Sequence, residues 1–408
     1  MSTPMASAPN LDLFASDAIA DPYPLYSRLR EHAPIHQVPG TTFYLVSTAD
    51  LVEEAVGRTD DFSSNLRAIL VLGPDGRPGR FAMDLGGAIE QVLATADGSA
   101  HRAHRKFVLH ALAKRIRVLE TAADEIAAQL WADHAHEGRI DWGAAVANRL
   151  PPAILAKLLG MPDEEVPQLL TAAYESVELL GGLATPQRME QLVSATFGLH
   201  DYLERTLNAT DPGADGLFGV LATALDRGDI ELGTATMILM QLVGAGAETT
   251  AGLIGTAARY LAQDPGLQDA LRADAALIDP FLEECLRLDP PLRGHYRVAT
   301  SDTELGGVTI PIGSHLLLLW SSANRDATRY DNPDRIDLAR PGIRQHLAFG
   351  KGTHFCVGSS LARLEATAAV RTLLSNTNTF ALNPNTPPVW VKSVVVRRAE
   401  SLPLTFNK

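Results

Sequence analysis

Only two cysteines occur in the 408 residues, and one of them, Cys356, sits in the run AFGKGTHFCVG, with Gly350 and Gly352 before it and Gly358 after it. The residues that follow, VGSSLARLEATAAVRTLL, place Leu361, Leu364 and Ala368 on one helical face among good helix formers. Cys356 therefore stands at or just before a helix N-terminus, where free N–H groups and the positive end of the dipole favour a thiolate. The glycines let the backbone turn closely around the sulfur. Such a cysteine could serve as a nucleophile, a zinc ligand or a haem ligand, or could be an inert buried thiol. Zinc needs about four ligands, and His354 is not accompanied by a second Cys or His pair. A nucleophile would take its base from among the twelve histidines.

Two further constellations carry chemistry. In LVGAGAETTAGLIG, Gly244 and Gly246 each cost about 1 kcal/mol relative to Ala in a helix interior. Glu248 and Thr249 are unwelcome in so apolar a stretch. One reading is a kinked core helix with Glu248 turned to solvent; the other is that the glycines open room for a small ligand while the acid and the alcohol handle protons. In DPFLEECLRLDPP, Glu284 and Arg287 lie three residues apart on one helical face. Asp279 is read there as the cap, Pro280 as the first helical residue, and Pro290 with Pro291 as the stop.

These residues need a helical frame. Apolar residues near the 3.6 period predict helices over residues 119–131, 150–159 and 192–207, and a long one from an N-cap at Thr234 to Gln263. Strand signals are few: YLVST near residue 44, and ELGGVTIPIGSHLLLLW, where Gly306 and Gly307 predict a hairpin turn. The expectation is a mainly α chain with small sheets, a flexible segment over residues 1–20 and a single domain over 21–408. A formal charge of −13 argues against a nucleic-acid surface. The start, MSTPMASAPNLDLF, carries no signal-peptide pattern, and residues 237–262 contain Gln241, Glu248 and Arg259, which are costly in a bilayer. The expectation is a cytoplasmic protein without a membrane anchor.

The pattern F-x-x-G-x-x-x-C-x-G, filled by Phe349, Gly352, Cys356 and Gly358, resembles the haem-binding signature of the cytochrome P450 family. AGAET, residues 245–249, resembles that family's A-G-x-[DE]-T segment, Glu284 and Arg287 its E-x-x-R pair, and His101 with Arg105 its H-x-x-x-R pattern. The resemblance runs from about residue 21 to the C-terminus. It implies a triangular helical prism with small β-sheets, holding heme b (iron protoporphyrin IX). It implies that Cys356 is the axial iron ligand, with Phe349 and Gly350 beside the sulfur and Ala245 over the distal face. His101, Arg105, Arg297 and His354 would be propionate partners. Thr249 would hydrogen-bond dioxygen and Glu248 relay protons to it. Arg335 would join Glu284 and Arg287 in bracing the cysteine loop, although Ile336 stands where an aromatic often follows.

The activity so implied is monooxygenation: one atom of dioxygen enters a small, largely apolar substrate. Electrons would come from a ferredoxin and its ferredoxin reductase, docking near Arg105, Lys106 and Lys351. Alternatives are a peroxide-driven or ring-coupling oxidase on the same scaffold, a haem-binding sensor without turnover, and a colourless Cys-His hydrolase. Five segments are expected to wall the substrate pocket: residues 65–85, 179–185, 242–245, 292–296 and 392–398. Arg293 or His295 could anchor a substrate carboxylate. Cys285 reads as an inert buried thiol.

Overall fold

The computed structural model describes residues 11–83 and 90–407. Seven helices frame the site: α1 (Gly98–His134), α2 (Leu150–Leu159), α3 (Val166–Glu178), α4 (Pro186–Ala209), α5 (Leu232–Gln263), α6 (Ile278–Leu288) and α7 (Ser359–Ser375). Helices α1, α2, α4 and α5 contain or match the spans expected from periodicity, α6 and α7 fall on the segments around Glu284 and after Cys356, and α3 is not expected from the sequence. The main core forms where α5 packs against α2, α3, α4, α6 and α7, while α1 lies on α2 and α7. Leu239, Val243, Ala247, Leu253 and Ile254 of α5 are buried there. At about 1.5 Å per residue a helix of this length crosses the whole molecule, so α5 can present one side to a cavity and the other to neighbouring helices. By length and composition it would also cross a membrane, but 61% of its most apolar window is buried inside the protein, as in a core helix.

The helix ends differ from expectation at two places. Helix α5 begins at Leu232 with Glu231 at its cap, and the Thr234 hydroxyl instead meets the Glu90 carboxylate. Helix α6 begins at Ile278, so Asp279 lies inside the first turn and pairs with Arg344 at 2.7 Å. In both cases a tertiary partner takes the side chain expected to cap.

Strand residues form small sheets at the edge of this helical body. The largest has five strands in the order Ile35–Gln37, Phe43–Val46, His315–Leu318, His295–Ala299, Phe62–Ser63, with one parallel pair, Phe43–Val46 on His315–Leu318. The hairpin expected at Gly306 and Gly307 joins Thr303–Leu305 to Val308–Ile310. A second hydrophobic cluster gathers the Ala68–Leu72 strand, Val177, and residues 394–396. Part of the segment read as flexible contributes to it: Leu13, Phe14 and Ala18 are buried. Residue 19's carbonyl accepts from Arg293, and residue 20's from Arg397.

Candidate active site

Cys356 lies three residues before α7, with Gly358 at the helix cap. Its backbone N–H donates to the Phe349 carbonyl at 2.9 Å, and the Gly350 N–H donates to Leu347 at 2.9 Å, so the loop closes on itself. Gly350 and Gly352 have φ of +67° and +69°, a backbone conformation that side-chain-bearing residues rarely adopt. Burial pushes the Cys356 thiol up, although the Gly358 N–H, Arg105 and Arg363 act in the opposite direction. The helix-end amide thus favours the thiolate as expected but does not overcome desolvation. A cation facing the sulfur is needed to hold it ionised.

Sulfur and α5 face one cavity of about 290 Å³. Nine of the ten site residues singled out from the sequence line it: His101, Arg105, Ala245, Thr249, Arg297, Phe349, Gly350, His354 and Cys356. Glu248 does not. Its side chain points away from the cavity, almost wholly buried, with Oε1 accepting from Arg398 Nε at 2.9 Å and Oε2 without a partner. The Thr249 hydroxyl donates to the Ala245 carbonyl at 2.7 Å, one turn back, which leaves its acceptor lone pairs on the cavity side.

Of the two glycines of α5 singled out from the sequence, Gly246 lines the cavity together with Leu155, as expected, whereas Gly244 does not. A Cβ at Gly244 would meet Ser176 Oγ at 3.0 Å and Val177 at 3.3 Å, and one at Gly246 would meet Leu155 at 3.5 Å. They admit α3 and α2 to close approach, and the helix continues through them. Ala245 lines the cavity beside Gly246.

On one flank of the cavity, basic groups converge with little to neutralise them. The rings of His101 and His354 stand 4.2 Å apart. Arg297 donates to the Tyr296 carbonyl at 2.7 Å and to His295 Nδ1 at 3.1 Å. Burial, then His101 and Arg297, hold His354 down to about 3. Burial holds Arg297 down to about 10. The acid at their edge, Asp97, is 4.0 Å from His354 and already accepts from Ser63 and Ser64. His354 Nδ1 is buried without a partner. Buried Arg297 and half-buried Arg105, beside imidazoles of which one has an unsatisfied nitrogen, fit a group that brings carboxylates. The residues therefore suit an iron porphyrin: a sulfur for the metal, an apolar slot, and cationic partners for acidic side arms.

Beneath the loop, Glu284 is wholly buried and accepts from Arg287 Nε at 2.6 Å and Arg340 Nε at 3.0 Å. The third member of this brace is Arg340, not Arg335. Arg335 is exposed, and only its backbone carbonyl takes part, accepting from both Arg287 and Arg340. The path of residues 331–340 decides which arginine turns inward. Alongside, Glu283 accepts from Arg363 at 2.5 Å and His346 at 3.0 Å, and the Arg363 guanidinium lies 4.5 Å from the Phe349 ring centre.

Other expectations are corrected. Of the five wall segments, 242–245 and 292–296 reach the cavity, through Leu242, Ala245, Leu292 and His295. The hairpin of Ala68–Leu72 and Pro78–Ala82, residues 179–183 and residues 394–396 pack on one another instead, joined by Leu72 N–H to Gly182 at 2.8 Å and Val394 N–H to Gly181 at 3.0 Å. Residues 84–85 lie outside the described residues. Arg293 cannot anchor a substrate: it is 2% exposed and donates to the carbonyls of Ser393 and Ile19. His295 is engaged by Arg297. Cys285 is fully buried. Sequence reasoning missed three residues: Arg398, Gln241, whose amide ties α5 to residues 94 and 95, and Glu365, a buried cavity carboxyl with Oε2 unpartnered whose pKa burial pushes up. For Gln241 and Glu365 the only local sign is a polar residue in an apolar helix; Arg398 has none.

Comparison with known proteins gives one answer. A family model described as Cytochrome P450 matches residues 219–393. The chain is 43% identical over 397 residues to Cytochrome P450 144 of Mycobacterium tuberculosis, covering 97% of this chain and 91% of that one.

The chain belongs to the cytochrome P450 family.

It is also 32% identical to the cytochrome P450 monooxygenase PikC of Streptomyces venezuelae, over 99% of this chain and 96% of the relative. The crystal structure of CalO2 matches with a TM-score of 0.85 at 26% identity, covering 97% of this chain and 98% of that one. The mainly α P450 fold expected from the sequence is therefore the fold observed. The protein is an oxidoreductase, a P450 monooxygenase with a haem-thiolate cofactor.

Proposed function

We propose that this P450 holds heme b, with Cys356 as the iron ligand, and inserts one oxygen atom into a small, uncharged apolar substrate. The balance is substrate R–H, dioxygen, two electrons and two protons giving R–OH and water. The observation that carries the reading is the convergence of the Cys356 loop and the cationic flank on one apolar cavity. Bound haem would supply the activation of dioxygen, helped by electron density from the thiolate.

The chain's own residues do the rest. His101, Arg105, Arg297 and His354 would hold the two propionates, and Phe349 packs beside the sulfur. Thr249 offers a hydroxyl that accepts a hydrogen bond on the cavity side and can re-aim its O–H from the Ala245 carbonyl. Glu248 supplies the proton that Thr249 passes on. Leu93, Leu242, Ala245 and Leu292 make the wall apolar. The Gln241 amide is engaged with residues 94 and 95, so little on that wall would anchor a charged substrate.

For electron supply the reading is a separate ferredoxin and its reductase in the cytoplasm. Two of the expected docking residues are otherwise occupied: Arg105 faces the cavity, and Lys351 pairs with Glu53 at 2.5 Å. What supports docking is the exposed stripe of Arg102, Lys106, His110, Lys114 and Arg117 on α1, in a stretch without an acid from residue 98 to 119, with exposed Leu109 beside it. Charge reversal at Arg102 and Lys106 should slow reduction by an acidic ferredoxin about tenfold at low salt; an unchanged rate rejects the site.

The deciding experiment is the visible spectrum of the purified protein, reduced and exposed to carbon monoxide, together with acid extraction of the pigment. A thiolate-type band and extracted protoporphyrin IX iron are expected; a colourless protein overturns the reading. Turnover with hydrogen peroxide alone, at rates matching the ferredoxin system, would replace the dioxygen route with the peroxide one.

A further inference from the structure

Backbone strain is built into the cavity wall. Among the described residues, three that carry a side chain have positive φ: Leu93 at +41°, Glu137 at +50° and Asn332 at +47°. Glu137 and Asn332 are exposed, whereas Leu93 is buried and lines the cavity. A branched apolar side chain gains nothing from left-handed backbone, so neighbouring contacts must hold it there. Those contacts are hydrogen bonds to the turn of residues 92–96. The Leu93 N–H donates to His104 Nδ1 on α1 at 3.4 Å, and the Thr95 carbonyl accepts from Asn65 Nδ2 at 2.7 Å. The tie to α5 is Gln241, whose Oε1 accepts from the Ala94 N–H at 3.1 Å and whose Nε2 donates to Thr95 Oγ1 at 2.9 Å. Thr95 Oγ1 also accepts from the Val92 N–H at 3.2 Å and donates to the Val92 carbonyl at 3.0 Å. The hydroxyl is then used to capacity, so the glutamine grips a turn that is already closed on itself.

We propose that Gln241 is a specificity-determining positioning residue: by clasping residues 94 and 95 it holds Leu93 in the left-handed conformation as a fixed wall, and so sets how large a ligand the cavity accepts. The proposal rests on the haem reading of this cavity. Leu93, Ala94 and Gln241 line the cavity and Thr95 does not, so one end of the clasp lies behind the wall that it fixes. A ligand too large for the wall has to break both hydrogen bonds of the amide, whereas a small one leaves them intact. With the clasp broken, Leu93 relaxes out of the left-handed region and the wall yields. Selection is then by the rigidity of an apolar wall and not by a polar contact to the ligand, because both ends of the amide are already engaged.

The test is titration of the holoenzyme with imidazole and with 1-phenylimidazole, each read from the shift of the main haem absorption band, with the reduced carbon monoxide band as the check on folding. Gln241→Met and Thr95→Val break the clasp from opposite ends with little change in side-chain volume. Each should bind 1-phenylimidazole about tenfold more tightly than the wild type, and imidazole within about twofold of it. The double variant should gain nothing over either single one, because both remove the same tie. Thr95→Ser, which keeps the hydroxyl, should keep the wild-type affinities. Hydrogen exchange over residues 92–96 reads the clasp without haem and should be about tenfold faster in Gln241→Met and in Thr95→Val. Where Gln241→Met does not fold, Thr95→Val decides alone. An unchanged ratio of the two affinities in Thr95→Val overturns the proposal, even where Gln241→Met alters it, since Gln241 would then be touching the ligand itself. Wild-type protein whose spectrum imidazole leaves unmoved overturns the haem reading and the size selection with it, whereas exchange over residues 92–96 that neither variant speeds overturns the clasp alone.

Discussion

Glu284 and Glu248 are the same residue type, each on a core helix and each almost fully buried, at 0% and 2% exposure. Their surroundings send them in opposite directions. The oxygens of Glu284 receive Arg287, Arg340 and the Asp337 N–H. Burial favours its neutral form, but these donors outweigh it and hold the carboxyl below the usual range. Glu248 has one donor, and there burial wins. A buried carboxylate saturated with donors is a fixed strut, whereas one with a single donor is a group that can take up and lose a proton. Glu283 and Glu284, beneath the cysteine loop, are of the first kind; Glu248 on α5 is of the second, as is Glu365 on α7.

The largest break in that contrast comes at the sulfur itself. Cys356→Ser should fold, because the loop's own hydrogen bonds run through the backbone, yet lose the thiolate-type carbon monoxide band and turnover completely. Retention of both would show that the rigid side is not organised around the sulfur. Next comes the strut. Arg340→Ala leaves Glu284 under-paired in a buried site and should cost about 3–5 kcal/mol in urea unfolding. Arg335→Ala, at an exposed side chain, should stay within about 0.5 kcal/mol. Equal losses at the two positions would restore Arg335 to the brace.

A smaller effect, visible only in acid, separates Glu283 from Glu248. Burial favours the neutral form of Glu283, but Arg363 and His346 outweigh it and hold the carboxyl at about 2. A carboxyl depressed by folding contributes stability above its unfolded value, and that stability is lost as pH falls towards about 2. Glu283→Gln should therefore cost stability near neutrality and flatten the acid limb of the thermal midpoint. Glu248→Gln should show the reverse sign: its raised carboxyl disfavours folding as pH rises, so the variant gains relative to wild type towards alkaline pH. Parallel curves for the two would erase the distinction.

What the sequence made legible is whatever is carried by neighbours in the chain. Cys356 before α7, the run of α5 from the 230s to Gln263, and the Gly306–Gly307 hairpin all follow from spacing within a few residues. Arg398 acts on Glu248 from 150 residues away, and Arg340 on Glu284 from 56. No local pattern marks which of Arg335 and Arg340, or of Arg397 and Arg398, turns inward, because tertiary packing decides it. The pocket walls were misassigned for a related reason. Residues 394–396 and 179–183 are apolar, as a wall should be, but they find each other before they find the cavity.

The glycines of α5 offer the finest test of how the two sides differ, because Gly246 lines the cavity, as expected, while Gly244 is closed off by α3. Gly to Ala in a helix gains about 1 kcal/mol from propensity, so the sign of each substitution depends on the neighbour the new methyl meets. At Gly246 that neighbour is a Leu155 methyl at 3.5 Å, an ordinary contact, and Gly246→Ala should raise the thermal midpoint modestly. At Gly244 the neighbours are Ser176 Oγ at 3.0 Å and Val177 at 3.3 Å on α3, so Gly244→Ala must push α3 outward and should lower it. A Gly244→Ala protein that is stabilised like Gly246→Ala would mean that α3 yields without cost, and the close approach would then not be what the glycine is for.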